Sequence, residues 1–280
     1  MTHPVAVITD STSYLPRGWA AARGIQVVPV QVIVSGQPYD ETEVDQAARV
    51  VQALRDWEMV TTSRPSPERF RAALQAAQDA GHDAAVIATL SSAMSATYES
   101  AVLAAKEASI PVEVVDSRTV AMGLGFAVLA GADAAAQGQS AEQVAALIAD
   151  RAQAARVFFY VDTLEYLRRG GRVSAARAAV GQALQVKPLL QVADGKVLPL
   201  DRVRTPSRAL ARLEELAVEA AQARTAQIAV QHLAAPERAA DLAVRLAARL
   251  PAAEIVQCPV GGVVGAHVGP GMVAAIVVPD

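Results

Sequence analysis

Apolar runs rich in valine and isoleucine alternate along the chain with alanine-rich stretches of helical period. VAVITD opens the pattern at residues 5–10, a helix is predicted near 15–23, and IQVVPVQVIV follows at 25–34. Further strand-like runs are AAVIATL, VEVVD, VFFYVD, AQIAVQHL and AAIVVP. Helices are predicted near 43–57, 67–80, 94–108, 119–137 and 141–155. Ser66-Pro67 supplies a cap and an N1 proline, and Ser140 with Gln143 has capping-box spacing. Continuous apolar strands separated by helices imply a largely parallel sheet covered on both faces.

The pattern changes after about residue 187. KPLLQVADGKVLPLDRV carries two apolar runs around Asp194-Gly195, a hairpin signal. Helices near 207–223 and 236–250 follow, then a glycine-rich loop between two short strands. The fold class is α/β, with an N-terminal α/β domain over 1–155 and a smaller α+β domain over 156–280.

Composition narrows the function classes. A chain of 280 residues with 52% hydrophobic and 19% charged residues can bury a sizeable core and is not disordered. The net charge is −3 and its 25 lysines and arginines form no basic block, which argues against nucleic acid as a partner. One cysteine, Cys258, cannot make an internal disulfide, and its apolar neighbours suggest an inert core thiol in a reducing cytoplasm. The start MTHPVAVITD lacks the basic region and apolar stretch of a signal peptide. Residues 255–279 carry no formal charge, yet two internal prolines and five glycines would break a membrane helix, so no transmembrane segment is expected.

The chemical signals are of a different kind. No GxxxxGK[ST], HExxH, GxSxG or CxxC is present, so neither a cofactor nor a metal is expected. Three strand ends, ITDST, VDSRT and VDTLEY, each place an aspartate and then a hydroxyl where ligands bind in open α/β sheets. Asp, Ser and Thr are equally the preferred helix caps, and two of the three tips are expected to be only that. Thr62 and Ser63 stand just ahead of a helix start, and Ser91 and Ser92 lie between a buried strand and a helix. Each pair reads as caps or as neutral donors for an anion. His267 sits in GGVVGAHVGPG, where backbone can approach a ligand and an imidazole can offer a donor. His3, His82 and His232 have no such setting. Arg168, Arg169, Arg172 and Arg177 surround Gly170-Gly171, with Ser174 able to cap a following helix; they suit a solvated helix end, a phosphate or a protein partner.

Taken in order, ITDSTSYLP, TTSRPSPERF, LSSAMSATYESA, VVDSRTVAMGLG, LEYLRRGGRVS, VRT near Arg204 and GAHVGPG resemble the DegV family, the fatty-acid-binding subunit of bacterial fatty acid kinase. The resemblance covers essentially the whole chain. It implies a two-domain α/β fold, an N-terminal parallel-sheet domain and a smaller C-terminal α/β domain with a mixed sheet, enclosing a long-chain fatty acid between the domains, the acyl chain buried and the carboxylate held by Thr62, Ser92 and His267, with Ser63 and Ser91 beside them. Arg172 and Arg204 match positions sensitive to the partner, a separate ATP-binding kinase subunit that forms the acyl phosphate for phospholipid metabolism. The chain itself would be a cytoplasmic carrier rather than an enzyme, with at most transient membrane contact. It departs from the family at Arg64, where glutamine is usual, and at Ala93 and Ala96, where glycines are usual. The alternative is a stand-alone serine hydrolase acting on acyl esters, with Ser92 as nucleophile, His267 as base and Asp10 or Asp116 as orienting acid.

Overall fold

The structure, a computed structural model, describes residues 4–173, 187–222 and 225–279. It divides into two compact units, residues 1–31 with 63–154 and residues 32–62 with 155–280.

The first unit is built on a four-stranded sheet in the order Gln26–Val28, Val5–Asp10, Ala84–Thr89, Val112–Asp116. All its pairings are parallel, with Ile8 opposite Ile87 and Thr89 opposite Asp116. Ala6, Ile8, Ala85 and Ile87 point to one face, where Phe70, Leu74 and Ala77 of helix Pro67–Asp79 and Ala101 and Ala104 of helix Thr97–Ala105 close the core. Helices Met122–Ala136 and Ala141–Ala154 pack on the sheet as well, and the alternate residues Val7 and Val86 are also buried. Covering both faces is why the two central strands, Val5–Asp10 and Ala84–Thr89, are buried along their whole length and read as near-continuous apolar runs.

The second unit holds a mixed six-stranded sheet in the order Lys196–Val203, Lys187–Ala193, Arg156–Tyr160, Val273–Pro279, Ala226–His232, Glu254–Pro259. Neighbours are antiparallel except the last pair. Leu210, Leu213 and Leu216 of helix Pro206–Ala221 and Leu242 and Leu246 of helix Pro236–Arg249 pack with Tyr160, Ile228, Val230, Val273 and Ala275. The hairpin turns at Asp194 (φ 50°) and Gly195 (φ 75°), both left-handed, as a two-residue turn between twisted strands requires.

Residues 32–62 break the simple division at 155. Strands Gln37–Asp40, Gln31–Val34 and Val60–Ser63 form a three-stranded sheet in that order, and helix Gln46–Arg55 packs on helix Gly262–Val268. A contiguous 1–155 domain is therefore corrected: an internal segment of its sequence belongs with the second unit, which becomes the longer rather than the smaller of the two. The apolar run 25–34 is two strands, Gln26–Val28 and Gln31–Val34, in different sheets. Pro29 lies at the break, where it cannot donate to a ladder. The helix predicted near 15–23 shrinks to Trp19–Ala22, behind Pro16 and Gly18 at φ 85°. The glycine-rich loop contains a helix, Gly262–Val268. Its glycines serve close packing, since a Cβ on Gly262 would lie 2.4 Å from Gln46 Oε1.

Candidate functional site

Within the second unit the fold brings Thr62 and His267 together across 205 positions of sequence. Thr62 Oγ1 lies 3.0 Å from His267 Nε2. Thr62 is near the end of strand Val60–Ser63, and His267 is on helix Gly262–Val268. That helix is anchored at its start by the inserted segment: Gly262 N–H donates to Gln46 Oε1 at 3.1 Å and Val263 N–H to Glu41 Oε1 at 2.7 Å. These amides face no partner within their own helix, and the Glu41 carboxylate also suits the positive end of the helix dipole. Glu41 and Gln46 were not legible as site residues, because nothing in DETEVDQ points to a helix more than two hundred residues away.

The imidazole is kept neutral. Burial, and then the positive charge of Arg172, push the His267 pKa down to about 4. At neutral pH the ring offers one N–H and one lone pair and adds no cation to a partly buried place. Nδ1 has no hydrogen-bond partner among the described residues and faces Gly170, where an added Cβ would sit 2.1 Å away. Arg172 is exposed, and its Nη1 donates to the Gly170 carbonyl at 2.7 Å.

Ser63 Oγ makes a long 3.4 Å bond to the Arg64 carbonyl, and Arg64 itself is exposed. Arg168 and Arg169 are held by Glu165 at 2.8 and 2.7 Å, with Arg169 over the Trp57 ring at 5.4 Å, so they read first as a solvated helix end. Arg204 is exposed directly after strand Lys196–Val203 and before Thr205, which caps the next helix. Ser174 and Arg177 lie outside the described residues, as does His3.

Ser91 and Ser92 belong to the first unit, at the carboxyl end of strand Ala84–Thr89. Ser91 is fully buried; its N–H donates to the Thr119 carbonyl at 2.9 Å, and its Oγ accepts from Ala93 N–H at 3.2 Å. Ser92 donates both its hydroxyl and its N–H to the Asp116 carboxylate, the latter at 3.0 Å. The Ser92 proton is therefore already given to an acid, and donating to a ligand would require the hydroxyl to turn.

The three strand-end aspartates do different work. Asp10 is buried and accepts from Thr12 N–H, Thr12 Oγ1–H and Leu90 N–H at 2.9, 2.6 and 2.8 Å, tying two strand ends together. Burial still pushes its carboxyl up. Asp116 accepts from Ser92 and from Arg118 N–H, the latter at 3.0 Å. Asp162 accepts from the Tyr160 hydroxyl and meets Lys187 Nζ at 3.3 Å and Arg238 Nη1 at 3.5 Å, so it is an ion cluster and no cap.

A hydrolytic site would need a carboxylate on the His267 ring to orient it. Among the described residues Nδ1 has none, and Nε2 is taken by Thr62. The proposed nucleophile, Ser92, is itself bonded to a carboxylate. Nothing in this geometry favours the hydrolase reading. Among the described residues no cluster of His, Cys, Asp and Glu could hold a metal ion, and no helix is long and apolar enough to cross a membrane. Cys258 is buried, and burial pushes its thiol up to about 11.

Comparison with known proteins places these features in a family. The profile described as "Uncharacterised protein, DegV family" matches residues 4–280. A DegV domain-containing protein of Streptomyces coelicolor is 45% identical over 278 residues, covering 99% of both chains. A fatty-acid-binding DegV family protein from Thermus thermophilus superposes with a TM-score of 0.92 at 32% identity, covering 99% of each chain. DegV of Bacillus subtilis, described as a fatty acid binding protein, gives 0.89 at 31% identity, again over 99% of each. With a family match over nearly its whole length and relatives of this similarity, the chain belongs to the DegV family.

Proposed function

We propose that this chain is a cytoplasmic carrier that binds a long-chain fatty acid and presents its carboxylate to a separate ATP-dependent kinase subunit for acyl phosphate formation. The observation that carries the reading is the neutral Thr62–His267 pair, in a chain whose solved relatives from Thermus thermophilus and Bacillus subtilis are fatty-acid-binding proteins. Burying an acyl chain stabilises a complex by about 0.8 kcal/mol per methylene, on the order of 10 kcal/mol for a dozen before the entropic costs of association. The carboxylate is then the difficulty, because an unpaired buried charge is very costly. A hydroxyl and a neutral imidazole supply hydrogen bonds without a second buried ion. Thr62 and His267 are the proposed primary contacts. Ser63, Ser91 and Ser92 are proposed as further donors on the strength of the family resemblance, Ser92 after its hydroxyl turns from Asp116. Arg172 and Arg204, both exposed, are proposed to meet the kinase subunit or the acyl phosphate.

Native mass spectrometry and solvent extraction of the purified protein should find a co-purified fatty acid. A ligand-free protein that also fails to bind added oleate sinks the proposal. With the kinase subunit present, Arg172→Ala should lower acyl phosphate formation while leaving oleate binding close to wild type, and equal rates would remove that arginine from the partner surface.

A further inference from the structure

The segment around helix Glu165–Arg169 meets the His267 region at three places, each of which needs a glycine. A Cβ on Gly170 would lie 2.1 Å from His267 Nδ1 and 2.9 Å from Cε1. A Cβ on Gly269 would lie 2.1 Å from Tyr166 Cδ2 and 2.4 Å from Cε2. A Cβ on Gly271 would lie 2.1 Å from Asp162 Oδ2. Positions 162, 166 and 170 thus oppose 271, 269 and 267, one segment running antiparallel to the other and stepping four residues for every two. Real Cβ atoms do not approach so closely, so these surfaces fit only because glycine stands at each contact. Gly269 and Gly271 also sit at φ 75° and 90°, where other residues are strained.

We infer that Tyr166 is a positioning residue for His267, its ring lying on Gly269 and holding the turn that follows the imidazole so that the ring stays against Gly170 and within reach of Thr62. Three further observations support it. Among the described residues the His267 ring makes one hydrogen bond, Nε2 with Thr62, and its Nδ1 makes none, so these contacts alone leave the ring able to turn about that bond. The half-buried Tyr166 ring is the side chain that covers the Gly269 Cα. The far end of the turn is fixed separately, by Arg238 Nη1 donating to the Gly271 carbonyl at 3.4 Å and by Asp162. Packing is then what orients the imidazole, and Tyr166 is the only one of the three opposing positions that does it with a large side chain. The inference rests on the proposed role of His267 in holding the ligand carboxylate, but its test does not.

The test reads the His267 Hε1 resonance of the ligand-free protein through a pH titration, in wild type, Tyr166→Ala and Tyr166→Phe. The wild-type midpoint should lie near 4, because the ring is shielded from water and faces the Arg172 charge. Tyr166→Ala opens the turn to water, and the midpoint should rise by about one pH unit or more, as relief of desolvation dictates. Tyr166→Phe keeps the ring, loses only the hydroxyl, and should titrate as wild type. Should Tyr166→Ala lose its dispersed spectrum, Tyr166→Leu is read by the same criterion. A wild-type His267 midpoint and shift in the truncated variant overturn the inference, as does a phenylalanine variant that behaves like the alanine one. In the ligand arm, oleate affinity should fall about fivefold in Tyr166→Ala if the ring is correctly placed only a fifth of the time, and be restored in Tyr166→Phe. If wild type binds no oleate, the carrier proposal fails while the titration still decides the role of Tyr166.

Discussion

Replacing His267 by glutamine should change how stability depends on pH, and by a predictable amount. The folded protein holds the imidazole at about 4, below the ordinary value of 6.5, through burial first and Arg172 second. Between those values the unfolded chain takes up a proton that the folded chain refuses. Stability is therefore at its full value above about 6.5, falls as pH drops through the window, and has lost the whole contribution once pH is below about 4. The gap corresponds to roughly 3 kcal/mol, and partial exposure of the ring to water trims this to about 2 kcal/mol. A glutamine at 267 can still bond Thr62 but carries no titrating group. Denaturant unfolding at half-unit steps from pH 4 to 7.5, in wild type and His267→Gln, gives two curves whose difference isolates this group from His232 and the carboxylates. The wild type should lose about 2 kcal/mol more than the variant across the window. Parallel curves, or a folded-state His267 midpoint at 6.5 or above by NMR, would refute the reasoning.

Other expectations follow from single contacts. Ala121 sits at φ 60° and ψ −147°, an unfavourable conformation for a residue with a side chain, so Ala121→Gly should raise stability by about 1 kcal/mol despite the added freedom of the unfolded chain; a lower Tm would contradict this. Gly262→Ala places a Cβ 2.4 Å from Gln46 Oε1 and 2.7 Å from Val50 Cγ2, and should cost about 1–3 kcal/mol in urea. Gly265→Ala meets only the flexible end of Leu233, 3.1 Å away, and should cost distinctly less; equal losses would show that helix geometry rather than contact decides. Asp116→Ala removes the acceptor for Ser92 and should cost about 2 kcal/mol, Ser92→Ala less, and the double variant less than their sum; strict additivity would mean that the Ser92 hydroxyl does not bond Asp116.

Much of the architecture is legible from residue order alone. VAVITD and AAVIATL run apolar up to their polar carboxyl ends because helices cover both faces of a parallel sheet, while VEVVD, at the sheet edge, carries an exposed glutamate; both patterns are local. Asp194-Gly195 announces its hairpin because few other dipeptides accept two left-handed conformations in a row. His267 stands out because glycine surrounds it, and Thr62 because it lies with Ser63 in a hydroxyl-rich run just ahead of a helix start. What spacing cannot carry is the partner of each. Thr62 and His267 are separate motifs until the fold sets them 3.0 Å apart.

The limit is physical. A strand's sequence records how many of its faces are buried but not which sheet buries them, so IQVVPVQVIV reads as one strand although its two halves pair in different sheets. For the same reason residues 32–62 look like part of the N-terminal domain, while Glu41 and Gln46 cap a helix in the second unit. The glycines of GGVVGAHVGPG mark close approach, yet only the tertiary structure shows that Gln46, Leu233 and Tyr166 are what approaches. Sequence by itself determined most of the elements, the fold class and the candidate residues able to hold an anion without a counter-ion, but not the break at Pro29 or the helix Gly262–Val268. Tertiary structure decided the company each residue keeps, and with it the neutral state of His267, because burial and a neighbouring charge are properties of position in space.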